Sequence, residues 1–131
     1  MVFVDTGAWF ALVVESDPDH ERADAWFDSY PDELLTTDFI IDELLTLLRA
    51  RGHLQAAIDY GAELIGGRLA NLHRISEDDF SEAWRIFVKF SDKDWSFTDC
   101  TSKCVMEKLS IRTAFSFDHH FRQFSNIQVV P

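Results

Sequence analysis

The sequence predicts an α/β fold: a single domain with a mainly parallel central sheet flanked by helices. Short apolar runs of strand length alternate with longer segments whose apolar residues recur at helical spacing. Serine or threonine precedes several helical segments as an N-cap, and glycine follows two of them as a stop signal. There is no glycine-rich phosphate loop, so nucleotide binding of the P-loop or Rossmann type is not expected.

The first half of the chain alternates strand and helix. Residues 2–5 form an apolar run ending in Asp5, which suits a buried parallel strand. Thr36 or Thr37 is the expected N-cap of the third helix, and Pro31 is the expected end of the second. In chain order we expect a helix over 8–14, a turn over 16–19, a helix over 20–30, a strand over 34–36, and helices over 39–51 and 55–65.

The second half continues the pattern. Ser76 and Ser96 each precede an Asp by three residues, a capping box variant that marks a helix start. In chain order we expect a strand over 69–75, a helix from Ser76 to Phe90, a polar loop over 91–95, a helix from Ser96 to about Leu109, a strand over 112–117, a short turn or helix after Asp118, and a strand over 127–130.

Length and composition predict one globular domain over residues 1–131, since 47% of the residues are hydrophobic. No apolar run approaches the roughly 20 residues of a membrane span, and the first residues carry no basic segment. We therefore expect a soluble, cytoplasmic protein with no membrane partner. Cys100 and Cys104 form neither a CxxC metal motif nor a disulfide framework, and we expect two small buried side chains.

The acidic charge is concentrated near the start of the chain. The net charge is −11, and residues 1–43 hold twelve acidic residues against one basic residue. Residues 44–131 hold eleven of each sign. A uniformly acidic protein would repel nucleic acid, whereas the later residues leave room for a neutral or locally basic face.

Four acidic residues stand where a divalent cation could be held. Asp5 and Asp118 each end an apolar, strand-like run, and ligands of open α/β sheets bind at the carboxyl ends of the strands. Glu43 lies on an apolar helix stripe, and Asp99 lies near a helix start. Magnesium takes oxygen ligands, often one or two carboxylates with water and phosphate.

Each acid also has a structural alternative. Asp5 and Asp118 could serve turns or helix caps, and Glu43 could belong to a buried ion pair. Asp99 could cap its own helix or pair with Lys103 one turn later. Four carboxylates brought together would repel one another and raise one or more pKa values unless cations balanced them. That repulsion favours a site for Mg²⁺ or Mn²⁺.

The order and spacing of four segments resemble the PIN-domain ribonucleases, close to the VapC-type toxins of prokaryotic toxin–antitoxin pairs. The resemblance covers essentially the whole chain. The matching segments are residues 4–12 (VDTGAWFAL), residues 37–48 with Glu43, residues 94–102 (DWSFTDCTS) and residues 114–121 (AFSFDHHF).

The resemblance implies that Asp5, Glu43, Asp99 and Asp118 form a metal-binding catalytic site. It implies supporting hydroxyl groups at Thr6 and Ser116. It further implies an RNA substrate, a homodimer and a cognate antitoxin that covers the site. Asp94 could join a second metal, although its polar loop favours simple solvation.

The expected chemistry is metal-dependent cleavage of RNA phosphodiester bonds. Asp5 and Asp99 are the first choices as direct ligands. Glu43 would ligate directly or through water, and Asp118 would ligate or orient the attacking water.

The sequence also allows other interpretations of the protein's function. His119 and His120 adjoin the site, but the metal mechanism needs no imidazole. A non-catalytic acidic interaction module is one alternative, and an RNA-processing PIN nuclease outside a toxin–antitoxin pair is another. A haloacid-dehalogenase-like phosphatase would need a second Asp two residues after Asp5, where Gly7 stands.

Overall fold

The computed structural model describes residues 1–30 and 32–131. Pro31, the expected end of the second helix, lies outside the described residues. Within these residues the strands are β1 Val2–Val4, β2 Leu34–Thr37, β3 Asn71–His73, β4 Thr113–Phe115 and β5 Gln128–Val130. The helices are α1 Thr6–Val13, α2 His20–Ser29, α3 Asp38–Ala50, α4 Leu54–Ile65, α5 Glu77–Lys89 and α6 Phe97–Lys108, with a 3-10 helix at His119–Gln123.

The five strands form one sheet in the order β3-β2-β1-β4-β5, and every described pairing is parallel. This confirms the predicted α/β class. The chain builds outward from β1 through β2 to β3, then returns to place β4 on the other side of β1. The carboxyl ends of β1 and β4 therefore adjoin a point where the topology switches direction, which is where open α/β sheets bind ligands.

Four of the described strands are shorter than the sequence predicted, whereas β2 is one residue longer because it reaches Thr37. β3 was expected over residues 69–75, but its register with β2 runs only from Leu35↔Asn71 to Thr37↔His73. β2 ends at Thr37 because α3 begins at the next residue. A parallel strand cannot extend its ladder past the end of its partner, so β3 ends at His73.

The predicted helix caps are present. The Thr37 hydroxyl accepts a hydrogen bond from the Ile40 amide at 3.1 Å, which identifies Thr37 rather than Thr36 as the N-cap. Ser76 and Ser96 both form complete capping boxes with the Asp three residues on. Because the capping box fixes where the first turn begins, it also fixes the place of that Asp.

The core lies on both faces of the sheet, and β1 is completely buried. The Trp26 ring of α2 packs 4.2 Å from the Phe115 ring of β4, measured between centroids. Cys100 and Cys104 are free and buried on α6, as expected. None of the described helices is long and apolar enough to cross a membrane.

Candidate metal centre

Asp5 lies at the topological switch point because β1 ends immediately before it. Its backbone is extended and provides the N-cap position of α1, which begins at Thr6 rather than at the expected Ala8. The Asp5 amide donates to the carbonyl of Phe115, the last residue of β4, at 3.0 Å. The sheet thus holds Asp5 between two strand ends, with only 4% of the residue exposed.

Ser116 joins the acids that follow the two strands. Its hydroxyl donates to Asp5 Oδ2 at 3.0 Å. The oxygen of the Ser116 hydroxyl also accepts a hydrogen bond from the Asp118 amide at 3.0 Å. Asp118 in turn accepts the His120 amide at Oδ1, 2.9 Å away, and so caps the 3-10 helix. One buried hydroxyl therefore connects the Asp5 carboxylate to the backbone of Asp118.

Asp99 approaches from α6 and is held by its capping box. Its Oδ2 accepts from the Ser96 amide at 3.0 Å, while its own amide donates to the Ser96 hydroxyl at 3.0 Å. The same Oδ2 lies 3.1 Å from His120 Nδ1. The alternative pairing of Asp99 with Lys103 is wrong, because the buried Lys103 forms its ion pair with Glu107 one turn further along α6.

Asp5 and Asp99 lie in an unfavourable electrostatic environment. Burial, together with the nearby charges of Asp99 and Asp118, raises the pKa of Asp5 to about 7 despite the hydrogen bonds from Thr6 and Ser116. Burial also raises the pKa of Asp99, with a contribution from Asp118. In the described part of the chain no Lys or Arg forms an ion pair with any of the three.

Asp79 shows how this protein treats a buried carboxylate that serves structure alone. Asp79 is as deeply buried as Asp5, but Lys108 Nζ and His73 Nε2 each lie 2.8 Å from its carboxylate, and the Ser76 amide donates to it. These partners lower the pKa of Asp79 although burial acts to raise it. The contrast marks Asp5 as a carboxylate without its compensating charge.

Glu43 and Thr6 occupy neighbouring elements without contacts that fix them to the cluster. Glu43 is half-buried on α3, and the described residues give it neither a hydrogen bond nor an ion pair. The alternative of a buried ion pair at Glu43 therefore finds no partner within residues 1–30 and 32–131. Thr6 is buried, and its hydroxyl oxygen has no hydrogen-bond partner among the described groups. Asp94 is exposed in its loop.

His120 lies against the acidic cluster, a placement that the sequence alone does not distinguish from that of His119. His119 and His120 look equivalent in the sequence, but the His119 side chain is 77% exposed and the His120 side chain only 17%. His120 Nδ1 lies between Asp99 and Asp118, 3.4 Å from Asp118 Oδ1. In the sequence, the burial of His120 is indicated only by its position two residues after Asp118. Asp118 caps the 3-10 helix, and the first turn of that helix brings residue 120 back to residue 118.

The donor set fits a divalent cation. Three carboxylates converge without a Lys or Arg partner among the described side chains, and a buried charge such as that of Asp5 or Asp99 is paired or coordinates a metal. Asp99 and Asp118 use Oδ2 and Oδ1 respectively for their protein hydrogen bonds, and the described residues leave the other oxygen of each without one. The buried hydroxyl of Thr6, the residue after Asp5, also has no hydrogen-bond partner among the described groups.

Comparison with known proteins identifies full-length relatives. The sequence pattern of the PIN domain matches residues 2–127. The 23S rRNA-specific endonuclease VapC20 of Mycobacterium tuberculosis is 31% identical over 131 residues, covering 100% of this chain and 99% of VapC20. Ribonuclease VapC26 of the same organism is 27% identical over 131 residues, covering 98% of this chain and 93% of VapC26.

Solved structures share the architecture. The crystal structure of Mycobacterium tuberculosis VapC20, described as a Sarcin-Ricin loop cleaving toxin, superposes with a TM-score of 0.93 at 30% identity and covers 100% of both chains. VapBC2 from Rickettsia felis, solved bound to a promoter DNA fragment, gives a TM-score of 0.66 at 9% identity over 98% of this chain and 97% of that chain. At that identity the second likeness concerns the fold alone.

The raised pKa of Asp5 predicts that the metal-free protein loses stability as pH rises from about 4 to about 7. In that window the folded protein keeps a proton that the unfolded chain, with an ordinary pKa of 3.8, has released. The loss amounts to as much as about 4 kcal/mol. Urea unfolding in chelator should show Asp5→Asn more stable than wild type at about pH 8, and nearly equal to it below about pH 4.

The exposed Asp42 on α3 supplies the matched control, because Asp42→Asn makes the same chemical change without relieving a buried charge. Its stability should follow the wild-type profile across the whole range. Parallel pH profiles for wild type and Asp5→Asn would contradict the electrostatic description of the site.

Proposed function

This chain belongs to the PIN-domain family as a VapC-like ribonuclease, and we propose that it is a metal-dependent endoribonuclease acting as the toxin of a toxin–antitoxin pair. The observation that carries the proposal is the convergence of Asp5, Asp99 and Asp118 at the β1–β4 switch point without a Lys or Arg partner among the described residues. A site so arranged suits the binding of a cation and, through it, of a phosphate group.

Each acid has a proposed role that follows from its place. Asp5 and Asp99 hold the cation, because burial keeps solvent from their carboxylates and hydrogen bonds fix their orientation. Asp118 is the most exposed of the three and either ligates or orients the attacking water. Glu43, half-buried on α3, completes the set directly or through water.

Supporting groups keep the carboxylates in position. Ser116 fixes Asp5 relative to Asp118, and the Ser96 capping box fixes Asp99. Thr6 offers its hydroxyl beside Asp5. When bound, a divalent cation such as Mg²⁺ or Mn²⁺ supplies positive charge for the phosphate oxygens and makes water more acidic near neutral pH.

The proposed substrate is a structured RNA. VapC20 is named as specific for 23S rRNA, and its crystal structure is described as that of a Sarcin-Ricin loop cleaving toxin. The full-length likeness of this chain to VapC20 makes a 23S rRNA stem-loop the first substrate to test. The acidic first third of the chain cannot favour RNA binding, so contacts to the RNA backbone fall to the later residues.

We further propose a homodimer through an exposed apolar stripe on α5. Trp84 at its centre is 57% exposed, and its ring lies 5.9 Å from that of Phe87. Three exposed aromatic side chains on one helix face indicate an interaction surface. The stripe consists of Phe80, Trp84, Phe87 and Val88.

The charges along α5 suit a second copy of the same helix. The first half of α5 is acidic and the second half is basic, so two copies packed antiparallel across a twofold axis would place opposite charges together. Apart from the buried Asp79, the acidic residues are Glu77, Asp78 and Glu82, and the basic residues are Arg85 and Lys89.

An apolar stripe on α4 suits a different partner. Leu54, Ile58 and Ile65 are exposed along one side, and the only charged residues of α4 are Asp59 and Glu63. Because both charged residues of α4 are acidic, a basic segment with apolar side chains would complement this helix. We propose that an antitoxin supplies this segment, a partner that also matches the acidic residues 1–43.

Replacing Asp5 or Asp99 should abolish RNA cleavage without unfolding the protein. We expect Asp5→Asn and Asp99→Asn to lower the cleavage rate by about 100-fold or more, because each removes charge that holds the cation. The measurement is cleavage of a 23S rRNA stem-loop and of whole 23S rRNA with Mg²⁺, with Mn²⁺ and with chelator.

Asp94→Asn is the control, since Asp94 lies exposed in the loop before α6. It should retain wild-type activity. If Asp5→Asn cleaved RNA at the wild-type rate, or if chelator did not lower the rate of the wild-type protein, the carboxylate site would be refuted. Failure of folded wild type on every RNA tested would favour the acidic interaction module.

Trp84→Glu should convert a wild-type dimer to a monomer, because it places a charge at the centre of the apolar stripe. Light scattering coupled to size-exclusion chromatography measures the mass directly. Ile58→Glu introduces the same charge on α4, where the side chain is 55% exposed, and should leave the dimer intact. A monomeric wild type, or dissociation by Ile58→Glu alone, would rule out the α5 interface.

A further inference from the structure

His120 is placed among the candidate metal ligands in a way that the carboxylate site does not require. Its Nδ1 lies 3.1 Å from Asp99 Oδ2 and 3.4 Å from Asp118 Oδ1. The ring is largely buried, and the backbone amide of the same residue donates to Asp118 Oδ1 at 2.9 Å. Both the main chain and the ring of His120 are therefore tied to the cluster.

The spacing of these atoms is that of neighbouring ligands around one ion. Ligand atoms about 2.1 Å from an octahedral ion lie about 3 Å from one another along an edge. The nitrogen of His120 and the nearest oxygens of Asp99 and Asp118 are separated by distances close to this value.

We propose that His120 Nδ1 is a direct metal ligand, which with Asp99 and Asp118 gives the site a mixed nitrogen and oxygen donor set. The inference rests on the proposed metal-dependent nuclease and specifies its ion. Mg²⁺ is bound in proteins through oxygen, whereas imidazole suits transition ions. The site accordingly prefers Mn²⁺ to Mg²⁺.

The geometry distinguishes His120 from its neighbour. His119 is exposed, and its Nδ1 lies 3.6 Å from Asp118 Oδ1 with no contact to Asp99 among the described residues. Ligation through His120 Nδ1 leaves Nε2 to carry the ring proton. His119 has no place in the donor set and serves as a matched comparison one residue away.

Electron spin echo spectroscopy of bound Mn²⁺ tests the proposal directly. Wild-type protein loaded with Mn²⁺ should show ¹⁴N modulation from a coordinated imidazole, replaced by a ¹⁵N pattern when the protein carries ¹⁵N-histidine. The wild-type measurement requires no variant, so the folding of a mutant does not limit it. His120→Ala should lose the modulation, and His119→Ala should keep it.

Metal affinity supplies a second readout. Titration with Mn²⁺ followed by its free spin signal, with Mg²⁺ as competitor, should show His120→Ala binding Mn²⁺ at least about 10-fold more weakly. The same substitution should affect Mg²⁺ less, so the Mn²⁺ preference shrinks. His119→Ala should leave both affinities unchanged.

The outcomes separate this inference from the proposed function. Bound Mn²⁺ without ¹⁴N modulation, in a protein that still cleaves RNA, would overturn His120 as a ligand and leave the nuclease standing. Modulation that persists in His120→Ala would also overturn it. Absence of both Mn²⁺ binding and RNA cleavage in folded wild type would overturn the two together.

Discussion

The carboxylate of Asp5, buried without a basic partner among the described residues, is the constraint around which the site is organised. Parallel pairing of β1 with β4 places Asp5 and Ser116 side by side, and the Ser116 hydroxyl connects Asp5 to Asp118. Burial and neighbouring charge raise the pKa of Asp5, a cost that the fold carries in the absence of a cation. A divalent ion would offset that cost, which ties the stability of the site to its proposed chemistry.

Asp79 shows that the electrostatic cost of burying Asp5 is local, because another buried carboxylate of the same chain does not carry it. Asp79 links α5 to α6 through Lys108 and to β3 through His73. This network holds α6 against α5, and the Ser96 capping box then sets Asp99 at the start of α6. One buried acid therefore stabilises the scaffold, while others on that scaffold remain available for a ligand.

Local signals in the sequence predicted most of this arrangement. The apolar run before Asp5 predicted β1, and the capping patterns at Ser76 and Ser96 predicted the starts of α5 and α6. Long-range contacts were not predictable in the same way. Strand lengths depend on the partner's register, Lys108 is 29 residues from Asp79, and the difference between His119 and His120 arises only when the 3-10 helix folds back on Asp118.

The central claim is that the carboxyl ends of β1 and β4 form a cation site, and locating the ion tests it most directly. Crystals of the wild-type protein grown with Mn²⁺ allow the ion to be placed by anomalous scattering. The account predicts a peak about 2.2 Å from carboxylate oxygens of Asp5, Asp99 or Asp118. The claim would be contradicted if the three carboxylates were ordered with no anomalous peak between them, or if the only peak lay on another surface.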